Sequence, residues 1–139
     1  MNEAETKLEM LGGREGAPRT LAVVGLSDDP MKASHRVSAY MQAHGYRILP
    51  VNPGIASALG ERSYASLSEL PVKPDVVNVF RLPKYIPAIV DEMLALGLKN
   101  LWVQMGIWSE AAAAKAEAGG IRVVMDRCIM VEHRILMRR

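Results

Sequence analysis

Five short apolar runs, each stopped by turn residues, constrain this chain more than any other feature. They are Leu21-Ala22-Val23-Val24-Gly25, Arg47 to Val51, Val76 to Phe80, Leu101 to Met105 and Ile121 to Met125. A short apolar run is either a buried strand or a piece of buried helix, and periodicity alone does not separate them. Here the runs are short and rich in valine, and the first ends in glycine, so they read as strands. The stretches between them have helical spacing. Ser34 to His44 places Val37, Tyr40 and Met41 on one face, and Gly45 is set to end the helix in the left-handed region. Pro83 to Leu96 places Ile86, Ile89, Val90 and Met93 inward, with Pro87 in the first turn, where a missing N–H costs little. Ser109 is set to cap an alanine-rich helix running to Ala118, and Ile129 to Arg138 reads as a last helix. A further short helix is expected at Leu67 to Leu70.

Strand and helix in alternation, with near-continuous apolar strands, predict a five-stranded parallel sheet covered on both faces in a three-layer α/β domain. The expected strand order is 3-2-1-4-5, with right-handed crossovers and the topological switch between the first and fourth strands. The 139 residues suit one domain. Residues 1–18 read as an N-terminal arm. It holds a short helix from Glu3 to Leu11, broken at Gly12, Gly13 and Gly16 and closed at Pro18; whether the arm packs or frays stays open. Residues 19–139 form the domain proper.

Composition narrows the function. The formal net charge is +2, without a clustered basic stripe, which argues against nucleic acid. The single cysteine, Cys128, excludes an internal disulfide. The N-terminus lacks an apolar signal-peptide core, and no apolar run is long enough to span a membrane, so a cytoplasmic protein without membrane partners is expected. His35, His44 and His133 have no metal-ligand spacing, and a metal site is not expected. No G-x-S-x-G elbow is present, and no catalytic residue is identified.

In an open α/β sheet the ligand sits outside the carboxyl ends of the strands. The residues there are Gly25-Leu26-Ser27, Asn52-Pro53, Phe80-Arg81, Gln104-Met105-Gly106 and Asp126-Arg127-Cys128. Gly25, lacking a Cβ, allows a close backbone approach to a ligand, and Ser27 offers a hydroxyl. The helix start near Ser34 can present N–H groups and a positive dipole end to a phosphate. Lys32, His35, Arg36, Arg81 and Lys84 are nearby candidate cations. The dinucleotide fingerprint G-x-G-x-x-G is not met, because the frame reads Gly25-x-Ser27-x-x-Pro30. The second strand ends in Asn52-Pro53 where an NAD site wants an acid for the ribose. Asp28-Asp29 would repel a phosphate, so they face solvent or cap the next helix. Cys128 is either packing or a thiol at the ligand end. Trp102 should be core, Trp108 a shield or subunit contact, and Met93, Met105 and Met125 core filler.

VVGLS at Val23 to Ser27, PVNP at Pro50 to Pro53, VFR at Val79 to Arg81, WVQMGI at Trp102 to Ile107 and MDRC at Met125 to Cys128 form an ordered series. The series resembles the small coenzyme A-binding proteins of bacteria and archaea. Their Rossmann-like domain is similar to the N-terminal CoA-binding domain of the succinyl-CoA synthetase alpha subunit and of ADP-forming acyl-CoA synthetases. The resemblance implies binding of coenzyme A or an acyl-CoA without self-contained catalysis, since the synthetases' phosphorylated histidine lies in another domain. By this resemblance and by position, the candidate site comprises Gly25, Leu26, Ser27, Lys32, Ser34, Arg36, Asn52, Pro53, Phe80, Arg81, Gln104 and Gly106. An NAD(P)- or nucleotide-dependent enzyme, and one subunit of an acyl-CoA synthetase, remain as alternatives. So do a homo-oligomer and a partner enzyme.

Overall fold

A computed structural model describes residues 1–15 and 17–137. Gly16 and Arg138, invoked above as a helix breaker and a helix end, lie outside the described residues. The strands are β1 (Thr20–Val24), β2 (Arg47–Val51), β3 (Ser57–Ala58), β4 (Glu61–Arg62), β5 (Val76–Val79), β6 (Asn100–Val103) and β7 (Arg122–Val124). The α-helices are α1 (Ala4–Met10), α2 (Ala33–Ala43), α3 (Ile86–Leu96), α4 (Glu110–Ala118) and α5 (Ile129–Leu136). The expected short helix is a 3-10 turn at Leu67–Glu69, and the start of the Pro83 helix is another, at Pro83–Tyr85.

Five strands, β2, β1, β5, β6 and β7, form one parallel sheet in that spatial order. Strand residues alternate between the two faces. Ala22, Val24, Val77, Val79, Leu101 and Val103 pack with α3 and α4, through Ile86, Val90, Met93, Ala112 and Ala116. Leu21, Val23, Ile48, Val76, Trp102 and Val124 pack with α1, α2 and α5, through Met10, Val37, Met41 and Ile129. Both faces are therefore covered, which is why the strands are apolar after their first residues, with Asn78 the exception. Trp102 is fully buried, as expected. Ser109 caps α4, accepting a hydrogen bond from the Ala112 N–H at 3.2 Å.

The strand order corrects the expectation. Counting only the five sheet strands, the order is 2-1-3-4-5, not 3-2-1-4-5. The reason lies at Pro50, in the middle of β2. The Pro50 carbonyl accepts from the Tyr64 N–H at 3.0 Å, and the Asn52 N–H donates to the Tyr64 carbonyl at 2.8 Å. This side of β2 is its outer edge. A residue's N–H and carbonyl point to the same side of a strand, so Pro50 has no donor to give there. A third strand on that edge would lose a ladder hydrogen bond at Pro50, which marks β2 as an edge strand, and the chain crosses over β1 to its far side. The crossover runs from Asn52 to Asp75. It contains the β3–β4 hairpin, whose two-residue loop, Leu59-Gly60, has φ values of 54° and 77°. Positive φ at both positions belongs to the turn that favours Asn-Gly, and a leucine there hides the hairpin from sequence.

The N-terminal arm is packed. Met10 and Leu11 are buried, the Tyr46 hydroxyl donates to the Leu11 carbonyl, and Lys7 pairs with Glu132. Asn2 reaches the outer edge of β7: its N–H donates to the Val123 carbonyl at 3.3 Å, and its side-chain amide donates to and accepts from the Met125 backbone at 2.9 and 2.7 Å. No helix among the described residues is long and apolar enough to cross a membrane.

Candidate functional site

The order 2-1-3-4-5 moves the topological switch to the gap between β1 and β5. Beyond their carboxyl ends lies a cleft of about 640 Å³. Gly25 stands at its base with φ 89°, its N–H donating to the Val51 carbonyl at 2.9 Å. A Cβ on Gly25 would lie 2.3 Å from the Phe80 carbonyl oxygen. The residue is therefore glycine for the meeting of two strand ends, whatever approaches from the cleft. The tight strand-to-loop turn thus requires a glycine here, alongside the room for a ligand expected from the sequence.

The loop after Gly25 is fixed by short polar bonds. The Ser27 N–H donates to Ser34 Oγ at 3.0 Å, and Ser27 Oγ accepts from the Asp29 N–H at 3.0 Å. No side chain caps α2, which begins after Lys32. The His35 N–H is bonded to the Lys32 carbonyl at 3.1 Å, and Lys32, Ala33 and Ser34 line the cleft, so the positive end of the α2 dipole lies at its wall. Asp28 and Asp29 are exposed, and Asp29 accepts from the Met31 N–H at 2.9 Å; it braces the loop and does not cap α2. On the opposite wall the Arg81 guanidinium stacks over the Tyr85 ring at 4.2 Å, with the Lys84 ammonium 5.2 Å from the same ring.

Gln104, after β6, lines the cleft but spends its amide on the protein. Its Nε2 donates to Asn78 Oδ1 at 2.5 Å, and its Oε1 accepts from the Ile129 N–H at 3.3 Å. Asn78 is buried in β5, and its Nδ2 has no partner among the described residues. Half-buried Cys128, directly before α5, also lines the cleft.

The structure therefore brings Gly25, Ser27, Lys32, Ser34, Phe80, Arg81 and Gln104 together around one cleft. Leu26, Arg36, Asn52, Pro53 and Gly106 do not line it. Leu26 is fully buried. Arg36 donates to the Met31 carbonyl at 2.7 Å, holding the loop ahead of α2. Asn52 is a brace: its Nδ2 donates to the Leu26 carbonyl at 3.0 Å and its Oδ1 accepts from the Gly54 N–H at 2.8 Å. Pro53 is exposed, and the Gly106 N–H donates to Asp126 Oδ1 at 2.7 Å. Sequence reasoning missed the apolar lining: Val37, Leu82, Tyr85 and Ile107. It also misplaced Met105, which is 68% exposed at the cleft rather than core filler. The available signal was a set of large apolar residues directly after strand ends, where polar turn residues are usual. Trp108 is exposed and does not line the cleft. Among the described residues no cluster of metal-ligating side chains occurs.

Comparison with known proteins shows the family and the fold. The CoA binding domain family matches residues 19–134. A Bacillus subtilis protein, YneT, is 43% identical over 117 residues, covering 84% of this chain and 87% of that one. Subunit alpha of the ADP-forming acetate–CoA ligase II of Pyrococcus furiosus is 28% identical over 85 residues, which is 60% of this chain but only 19% of the subunit. A solved structure from Pyrococcus horikoshii superposes with a TM-score of 0.89 at 33% identity, covering 97% of this chain and 92% of that one.

Proposed function

The chain belongs to the CoA-binding domain family, and from that premise we propose that it binds coenzyme A or an acyl-CoA in the β1/β5 cleft and carries out no reaction of its own. The observation that carries the reading is the uncapped start of α2 at the cleft, with Lys32 beside it and Arg81 on the facing wall. Free N–H groups at a helix start and two cations make a phosphate site. The phosphates of the ligand belong at that end, with Gly25, Ser27 and Ser34 beneath them. The pantetheine arm would run past Phe80 toward Gln104 and Cys128.

Binding without catalysis is supported by what lines the cleft: no carboxylate and no imidazole is among the lining residues described. The lining side chains that can move a proton are Lys32, Tyr85 and Cys128, and none of them has a carboxylate or imidazole within the lining to activate it. A dinucleotide enzyme is disfavoured because Asn52, at the position of the ribose acid, is committed to the Leu26 carbonyl and the Gly54 N–H. The match to the acetate–CoA ligase subunit favours a second reading, that this chain hands its ligand to a separate catalytic partner in the cytoplasm. Isothermal titration with CoA, NAD and NADP tests the first reading. Micromolar CoA binding with silent dinucleotides is expected; silence from CoA would overturn it.

A further inference from the structure

Resting on that reading, we propose that the cleft's ligand is an acyl-CoA whose aliphatic acyl group lies on an apolar shelf formed by Leu82, Met105 and Ile107. The cleft has two chemically different ends, laid out by the strand order. After β1 come Lys32 and Ser34, with Arg81 opposite: cations, hydroxyls and an open helix start. After β5 and β6 come Leu82, Met105 and Ile107, which also line the cleft. The one amide side chain in the lining, Gln104, has both polar ends bonded to Asn78 and to the Ile129 N–H. The far end therefore offers a ligand little but hydrocarbon and sulfur.

The shelf is open to solvent. Leu82 is 61% exposed and Met105 is 68% exposed. Single exposed apolar residues need no explanation, but large ones gathered on the wall of one cleft mark a binding surface. Ile107 packs against the core beneath α3 and α4, so the shelf continues into the hydrophobic interior. A molecule complementary to both ends is polyanionic at one end and aliphatic at the other. Free coenzyme A supplies the phosphates but ends in a thiol and has no apolar tail to cover Leu82 and Met105. A thioester-linked acyl chain covers them, and each methylene buried there adds to affinity.

Titration of the full chain with CoA, acetyl-CoA and octanoyl-CoA tests this. Octanoyl-CoA is expected to bind at least tenfold more tightly than CoA, with acetyl-CoA between them. In Leu82→Ser and Met105→Ser, both at exposed positions where folding is not at stake, the ratio of octanoyl-CoA to CoA affinity should fall at least threefold. Equal affinity for CoA and octanoyl-CoA, or a ratio unmoved by both substitutions, overturns the acyl assignment alone and leaves the shelf to another occupant, such as a protein surface. Failure of every ligand to bind overturns the CoA reading and this inference with it.

Discussion

The Phe80 carbonyl oxygen lies 2.3 Å from the point where a Cβ on Gly25 would stand. Two parallel strands end side by side there, and one can turn into its loop only because the other's carbonyl meets hydrogen and not carbon. Gly25→Ala is therefore expected to lower stability by about 2 kcal/mol or more, combining the positive-φ penalty with the clash. Gly106→Ala is the control, because φ is 85° there but a Cβ meets nothing within 4 Å. Urea denaturation of both variants should show the larger loss in Gly25→Ala. Equal losses would mean that the Phe80 carbonyl moves aside at no cost.

Arg81 is the cation on the wall opposite α2, and its stacking on Tyr85 pre-orders it. Arg81→Ala should weaken CoA binding by about tenfold, the scale of a lost charge-assisted hydrogen bond. The loss should be greater for CoA than for dephospho-CoA if Arg81 meets the 3′-phosphate. Parallel titrations check this, and identical losses would assign Arg81 to the pyrophosphate instead.

Asn78 and Gln104 form a buried polar pair under the cleft. Gln104→Leu strands Asn78 Oδ1 and the Ile129 N–H and should cost about 1–3 kcal/mol. Adding Asn78→Leu removes one stranded group and should recover part of that loss, a positive coupling in a double-mutant cycle. Additive losses would show that the two amides do not depend on one another.

His133 accepts from or donates to the Tyr40 hydroxyl at 2.8 Å and lies with its ring 5.0 Å from that of His44. Burial, and then the neighbouring His44, hold its pKa below the ordinary histidine value of 6.5. The folded state thus binds fewer protons here than the unfolded chain does. Stability is fully present above pH 6.5 and falls as the pH drops below that value toward the folded pKa. Urea midpoints at pH 7.5 and 5.5 should show the decline, and His133→Gln should flatten it. An unchanged slope would place the acid sensitivity elsewhere.

Much of the fold was legible because the strands of the parallel sheet announce themselves: β2 spans Arg47–Val51 as read, and the other four differ by a residue or two at their ends. Strand order was not read correctly, although Pro50 carried the information, since a proline in a strand marks an edge. The misplaced third strand also hid the site's shape. With β5 beside β1, Arg81 faces the start of α2, and Leu82 and Tyr85 join the wall. Polar candidates were found because the ligand edge follows from fold class. The apolar ones were not, because leucine and methionine beside a strand look the same in sequence whether they face the core or a cleft. Asn52 was chosen for its position after β2, and its amide holds the Leu26 carbonyl and the Gly54 N–H.

Tyr64 occupies the outer edge of β2, and Asn2 occupies that of β7. Both borders of the sheet thus end in short irregular segments already bonded to them. A free strand border is what allows one molecule to extend another's sheet, in ordered assembly or in aggregation. At these positions the backbone groups that a second copy's strand would need are already taken by the chain's own segments, so each border is partly closed from within.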